Sequence, residues 1–397
     1  MNILTISSLY PNNEDPKHGI FVENRLRHLQ KHFPDIQATV IAPVPWFPLK
    51  SKWFKEYAKF VDVKHAEVRH GVNIYHPRYL VIPKVGMLLT PFFMAVSLII
   101  CLAKLKRKGL QPDLIDGHYF YPDGVAIAIV AMFFKLPFTC TSRGTDINLI
   151  ADMALPQKMI KWAIGRAEKS IAVCQALTDR LNELGAKQPV TLRNGVDLTF
   201  FSIIDEDKRA QARKHLNLEI GPDQYILLSV GWLIERKGHY LVIESLKYLP
   251  NAVLFIAGNG PDEYKLQASV AALGLENRVV FLGSLDQTTL RRYYQISDAL
   301  VLASSREGWA NVLLESMACG TPVVATNIWG TPEVVQSKTA GLLVERSSKA
   351  IAEGVKALLA EYPSRQCTRE YAEQFDWYST SKGQHTIFEA IMAQRKS

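Results

Sequence analysis

Two glutamates, Glu307 and Glu315, stand with seven residues between them in the run A-S-S-R-E-G-W-A-N-V-L-L-E-S-M-A-C-G-T-P-V-V-A-T. Ionised carboxylates only accept hydrogen bonds, which suits them to the hydroxyls of a ribose or a hexose. Between them lie Gly308, Trp309, Ala310, Asn311 and Val312. That stretch reads as a loop entering a helix, where the first free amides and the helix dipole favour an anion. One reading is a diphosphate resting on those amides, with a carboxylate gripping hydroxyls on either side. The other is an ordinary strand-helix-strand unit with solvated glutamates, and spacing alone leaves both open.

The elements that would position this pair are legible. Asp298 to Ala303 is a short apolar run of the buried parallel-strand kind. Asn311 to Cys319 has helical spacing, Gly320 suits a left-handed C-cap, and Pro322 forbids continuation before the strand Val323 to Thr326. Other chemistry-bearing residues sit at similar junctions. Arg236 and Lys237 lie between the strand Tyr225 to Gly231 and the helix His239 to Tyr248, a planar fork and a point charge fit for phosphate oxygens. His118 ends the strand from Leu114, at the edge where open α/β sheets bind ligands. Arg143 and Asp146, in S-R-G-T-D-I-N after the strand Pro137 to Thr141, suit an anion and a hydroxyl, or simply each other. Gly19 closes a breaker-rich loop before a helix, Ile20 to Phe33, with Phe21, Leu26, Leu29 and Phe33 on one face.

Glu307 and Glu315, followed by S-M-A-C-G-T-P-V-V-A-T, resemble the E-x7-E signature of family 4 glycosyltransferases, retaining enzymes of the GT-B fold that use nucleotide-sugar donors. The resemblance runs through nearly the whole chain: H-x-x-x-P-D-G from His118, R-G-x-D-x-N from Arg143, N-G-V-D from Asn194, G-x-L-x-x-x-K-G ending at Gly238, and G-x-G-P from Gly258. It implies that Glu307 contacts the donor sugar, Glu315 the ribose, and Arg236 with Lys237 the diphosphate. It further implies that His118 faces the transferred sugar or the acceptor, and that Arg143, Asp146 and Asn194 lie on the acceptor side. Gly19 would line the cleft, and Gly283 and Leu285 would cup the base through backbone groups. Two departures stand out: Trp309-Ala310 replaces the usual Phe-Gly, and His18 precedes Gly19 where a glycine is common.

The fold implied is α/β, two Rossmann-like domains facing a cleft. The first spans 1–200 and regains a C-terminal crossover helix, 376–397; the second spans 201–375, with a polar linker near Asp205 to Asp223 at its start. The implied activity is transfer of a hexose-type sugar to a glycan or lipid-linked acceptor, of the bacterial cell-surface polysaccharide or teichuronic-acid type. A GT-B-type epimerase or a non-catalytic nucleotide-sugar-binding module are the alternatives.

Composition bounds the rest. The 397 residues, 48% hydrophobic and 21% charged, suffice for two sizeable cores. A charge of +8 suits phosphorylated ligands and anionic surfaces, while the lack of an Arg/Lys block argues against nucleic acid. The absence of G-x-G-x-x-G disfavours a dinucleotide dehydrogenase. No D-x-D between apolar strands marks a metal, so no metal ion or other cofactor is expected and positive side chains would replace it. Five scattered cysteines without C-x-x-C spacing suggest free thiols in a reducing compartment. The N-terminus enters a strand with no basic n-region, unlike a signal peptide, so a cytoplasmic protein is expected, at most peripheral at the inner membrane face.

Two segments raise a membrane question. Val85 to Ala103 is nineteen residues without a charge, flanked by Lys84 and Lys104. Length and flanks fit a span, whereas Pro91 and the βα rhythm fit a buried core helix, which is the expectation; a helix touching the membrane surface is the third reading. Trp46 to Phe60 alternates aromatics (Trp53, Tyr57, Phe60) with lysines, as an interfacial helix would or as a helix packing its aromatics inward would.

Overall fold

A computed structural model of the chain describes residues 1–46, 60–82, 86–214, 216, 221 and 223–396. The expected interfacial segment Trp46 to Phe60 therefore lies outside the described residues except at its two ends, as does Val85. The chain divides into two compact units, Met1–Asn194 with Trp377–Ser397, and Gly195–Asp376.

The first unit is built on an eight-stranded sheet. Its strands in chain order are β1 (Asn2–Ile6), β2 (Gln37–Ile41), β4 (Ala66–Arg69), β5 (Val72–Tyr75), β7 (Leu114–His118), β8 (Phe138–Ser142), β9 (Lys169–Ala172) and β10 (Val190–Thr191). The spatial order is β10-β9-β8-β7-β1-β2-β5-β4, parallel except for the hairpin β4–β5. That hairpin turns on His70 and Gly71, both at positive φ, as a two-residue turn matched to strand twist requires. A separate parallel pair joins β3 (Val44–Trp46) to β6 (Arg78–Leu80). β7 and β8 are buried at every position, which is why they read as continuous runs rather than alternating ones.

Chain order reverses about β1: β2 lies on one side of it and β7 on the other. Open α/β sheets leave a crevice beyond the carboxyl ends of the strands at such a point. The loops that follow β1 and β7 meet there. Gly19 ends the first of these loops at φ 63°, and a Cβ on it would lie 2.2 Å from the Leu9 carbonyl, so only glycine fits. The helix it caps, Ile20–His32, buries Leu26 and Leu29 of the expected face and leaves Phe21 and Phe33 half-buried, while Val22, Glu23 and Arg25 are buried as well. Arg25 is buried because the helix Trp377–Lys396 lies across it: Phe388 packs among Ile3, Leu29, Ile36 and Leu114, and His28 stacks on Trp377 at 5.1 Å.

The second unit holds a six-stranded parallel sheet of β11 (Tyr225–Val230), β12 (Ala252–Ala257), β13 (Val279–Gly283), β14 (Ala299–Leu302), β15 (Val323–Thr326) and β16 (Gly341–Val344). The order is β13-β12-β11-β14-β15-β16, so the reversal falls between β11 and β14. Helices cover the sheet, and their apolar stripes interlock with it through Val242, Ile243, Val301, Val324 and Val355. Burying a branched side chain of this kind contributes about 2 kcal/mol, which is what holds the loops at the carboxyl edge in register.

The segment expected as a buried core helix is instead a surface helix, Thr90–Arg107, led by a short 3₁₀ turn. Pro91, Met94, Ala95, Leu98, Leu102 and Leu105 are buried, while Phe92, Val96 and Ile100 are exposed. Pro91 occupies the first turn, where a missing N–H costs nothing. Among the described residues no helix is long and apolar enough to cross a membrane.

Candidate active site

At the β11/β14 reversal the two following loops are held together by backbone. Gly238, at φ 68°, approaches so closely that a Cβ there would lie 2.1 Å from the Ala303 carbonyl oxygen. The Ser305 amide donates to the Arg236 carbonyl at 2.8 Å, and the Arg236 guanidinium donates to the Arg306 carbonyl at 2.6 Å. Arg346, just beyond β16, donates to the Ala303 and Glu235 carbonyls at 3.0 and 3.2 Å.

This bracing places Glu307 against a cationic pocket. Its Oε1 accepts from Lys237 Nζ and from Ser304 Oγ, each at 2.6 Å, with Arg236 at 3.7 Å. Burial by itself would raise the pKa of Glu307. The charges of Lys237 and Arg236 and the two hydrogen bonds outweigh it and hold the carboxyl below its ordinary value. Glu307 is thus an anion whose Oε1 is already committed.

Glu315 is of a different kind. It lies in the helix Asn311–Ala318, and its Oε2 accepts from the Tyr294 hydroxyl at 2.9 Å. Some of the side chain remains accessible, but its carboxyl is crowded. Desolvation pushes it up to about 7 despite the Tyr294 hydrogen bond. The helix has no side-chain cap, and its Asn311 and Leu313 amides turn back to the Trp309 and Ala310 carbonyls at 3.1 and 3.0 Å. The first-turn amides expected for an anion thus reduce to that of Val312. Gly308, Trp309 and Ala310 are buried, and Trp309 packs its ring 6.1 Å from Phe375, inward rather than toward the loop. Gly283, at φ 64°, ends β13 on the same carboxyl edge and accepts from the Gly258 amide at 2.8 Å; Leu285 follows, half-buried.

In the first unit the candidates form one chain of contacts. Arg143 donates to His118 Nδ1 at 2.7 Å and to Asn194 Oδ1 at 3.1 Å. His118 Nε2 faces Asp116 Oδ2 at 3.2 Å, and that same oxygen accepts from Gln384 at 2.9 Å, whose amide oxygen accepts from Arg25 at 2.8 Å. Burial drives the His118 imidazole down to about 4, in spite of the attraction of Asp116. The ring is therefore neutral near pH 7, with its proton on Nε2. Burial, with the charge of Arg25 next, lowers Arg143 to about 9, so it stays protonated. Asp116 is held below its usual range because the interactions with His118 and the charges of Arg25 and Arg143 outweigh its burial.

Asp146, expected to grip a hydroxyl, is wholly buried and spent on its own loop. It accepts from the amides of Phe120, Arg143 and Gly144 at 2.8, 3.2 and 2.9 Å. It shapes the loop that carries Arg143 and is not an open hydrogen-bonding group. Asp123, in the loop after β7, accepts from the amide and hydroxyl of Ser8 and so ties the β1 and β7 loops. Burial raises it to about 7.

Sequence reasoning missed Asp116, Arg25, Gln384, Ser304, Tyr294 and Arg346. Asp116 could have been found, because alternation on a strand puts residues two apart on one face. Ser304 lies three residues before Glu307 and could have been found in the same loop, whereas Arg25, Gln384, Tyr294 and Arg346 come from distant chain segments, which spacing does not signal. Among the described residues no three His, Cys, Asp or Glu side chains gather to hold a metal ion, and all five cysteines are free thiols.

Comparison with known proteins accords with this architecture. Residues 19–200 match the model described as Glycosyltransferase Family 4, and residues 210–375 match that described as Glycosyl transferases group 1. A Bacillus subtilis protein named for teichuronic acid biosynthesis, the glycosyltransferase TuaC, is 30% identical over 89% of this chain and 88% of its own. Among solved structures, sucrose-phosphate synthase of Thermosynechococcus elongatus superposes with a TM-score of 0.79 at 19% identity, over 99% of this chain and all of that one. HepE of Anabaena, solved in complex with UDP-glucose, gives 0.70 at 20% identity, over 99% and 100%. These structural likenesses establish the GT-B fold. The two family matches, with a relative 30% identical over most of both chains, show that the chain belongs to the family 4 glycosyltransferases.

Proposed function

We propose that the enzyme transfers a hexose-type sugar from a nucleoside-diphosphate-sugar to an acceptor hydroxyl with retention of anomeric configuration, in assembly of a bacterial cell-surface polysaccharide on a lipid-linked glycan. The observation that carries the donor half is the cluster of Arg236, Lys237 and Glu307 at the β11/β14 reversal. Two cations share one carboxylate there, beside an uncapped helix start, so a diphosphate could take up the positive charge as the bond to the sugar breaks. Glu307 Oε2 would then reach a sugar hydroxyl, and Glu315 the ribose. The base would lie toward Gly283 and Leu285, and no metal ion would be required.

On the acceptor side, Arg143 is the group that offers charge. His118, neutral and held by Asp116 and Arg143, serves by fixing that guanidinium rather than by moving a proton. Asn194 closes the same contact. TuaC, named for teichuronic acid biosynthesis, supports the polysaccharide assignment.

The test is release of nucleoside diphosphate from UDP-, GDP-, ADP- and TDP-sugars, with and without vesicles carrying lipid-linked glycan. One donor should turn over slowly alone and faster with acceptor, and Glu307→Ala should abolish both. Failure of every donor to bind would overturn the reading in favour of a relic module.

A further inference from the structure

The described surface of the first unit carries an apolar face with no protein partner. Along the helix Thr90–Arg107 and the residue before it, Leu89, Phe92, Val96 and Ile100 are 45%, 46%, 57% and 51% exposed. Spacings of three and four put them in one stripe. The stripe runs on into exposed Lys104, Arg107 and Lys108. Two further helices continue the surface: Val125–Phe134 packs against Thr90–Arg107, and Ala154–Ile164 packs against Val125–Phe134. They add exposed Phe133 and Leu155, with exposed Lys135, Lys158 and Lys161.

The three helices together contain no aspartate or glutamate, in a chain with 38 acidic residues among 397. The nearest acid before the third helix, Asp152, pairs with Arg180 at 2.6 Å, an arginine that Glu183 shares. Beside Ile100 and Lys104 opens a cavity of about 310 Å³, lined also by His65 and Arg78. From this geometry we infer that the three-helix face docks on an anionic lipid bilayer, apolar stripe in the acyl boundary and lysines and arginines among the headgroups.

Charge decides the occupant. A second copy would bring like charge against like charge, whereas an anionic leaflet neutralises the basic border. Spanning is ruled out by packing, since the opposite face of the helix is committed to the protein core. The purpose of the surface rests on the lipid-linked acceptor proposed above, but binding is measured without transfer, so each can fail separately.

The experiment is flotation of the full chain with vesicles of phosphatidylcholine, or of phosphatidylcholine and phosphatidylglycerol in equal parts. Two variants are compared with the unaltered protein: Phe92→Ser/Val96→Ser/Ile100→Ser, and Lys104→Glu/Arg107→Glu/Lys108→Glu. All six positions are exposed, so melting temperature and vesicle-free donor hydrolysis should stay as in the parent. The parent should bind the mixed vesicles, lose most binding in high salt, and bind phosphatidylcholine weakly. Each variant should bind at least tenfold less. Parent-like binding by both variants overturns the inference. So does a parent that ignores mixed vesicles, or a parent dimer in sedimentation that the serine variant dissolves.

Discussion

Lys237 Nζ and Glu307 Oε1 meet at 2.6 Å, on a carboxylate that Ser304 also donates to. The cation proposed for the donor diphosphate is thus held by the group proposed for the donor sugar. The pair is largely buried, so each ion depends on the other for compensation. Lys237→Ala should abolish transfer and also destabilise the fold by about 1–3 kcal/mol, less than for an isolated buried ion because Arg236 remains nearby. Adding Glu307→Gln should restore part of that stability and none of the transfer. A double-mutant cycle by denaturant titration reads the first effect, and nucleoside diphosphate release reads the second.

Gly238→Ala should be severe although the residue bears no charge. It demands a left-handed conformation of a residue with a Cβ and drives that Cβ into the Ala303 carbonyl. The strain alone is worth about 1–3 kcal/mol. Relief requires the two loops to part, which carries Lys237 away from Glu307. The melting temperature should fall, and affinity for nucleotide-sugar should drop at least tenfold by calorimetry.

Glu315 gives a stability signature in pH. Its carboxyl is raised from 4.5 to about 7 on folding, so the folded chain binds the proton more tightly than the unfolded one. That contribution is fully present below pH 4.5 and is lost as pH rises through 7. Glu315→Gln mimics the neutral acid at every pH. Compared with the parent, it should be equally stable at pH 4.5 and more stable at pH 8, by on the order of 2 kcal/mol. A parallel decline with pH in both proteins would remove the assignment.

His118 makes the opposite prediction. With its pKa lowered to about 4 in the fold, the unfolded chain takes up the proton first. Stability from this group is present above 6.5 and is lost as pH falls toward 4. Its imidazole should show no titration between pH 5.5 and 8 by NMR, and the transfer rate no limb near 6.5. A limb there that vanishes in His118→Asn would return His118 to proton transfer.

Much of the candidate site was legible where chemistry and an element boundary coincide. Arg236, Lys237 and Glu307 follow strands that read as buried runs, and strand order then brings their loops together. Asp146 was misread because a carboxylate in a polar loop looks alike whether it faces ligand or its own backbone amides, and only burial separates the two. The Thr90–Arg107 helix was misread because an uncharged run shows no polar face by which to tell a buried side from an exposed one. Tyr294, Arg346 and Gln384 reach the sites through tertiary contacts whose partners lie far away in sequence, from 21 residues for Tyr294 to 268 for Gln384.

Gln384 sets an order on biosynthesis. Arg25 and Asp116 are both desolvated in the first unit, and the amide that bridges them belongs to a helix made only after the whole second unit. Chains emerge from the ribosome N-terminus first. The nascent first unit must therefore wait, without the amide that joins Arg25 to Asp116, while some 180 residues are added. A stall or truncation before Trp377 would leave that interior open. Such products should be protease-sensitive throughout the first unit even though its sheet is already complete.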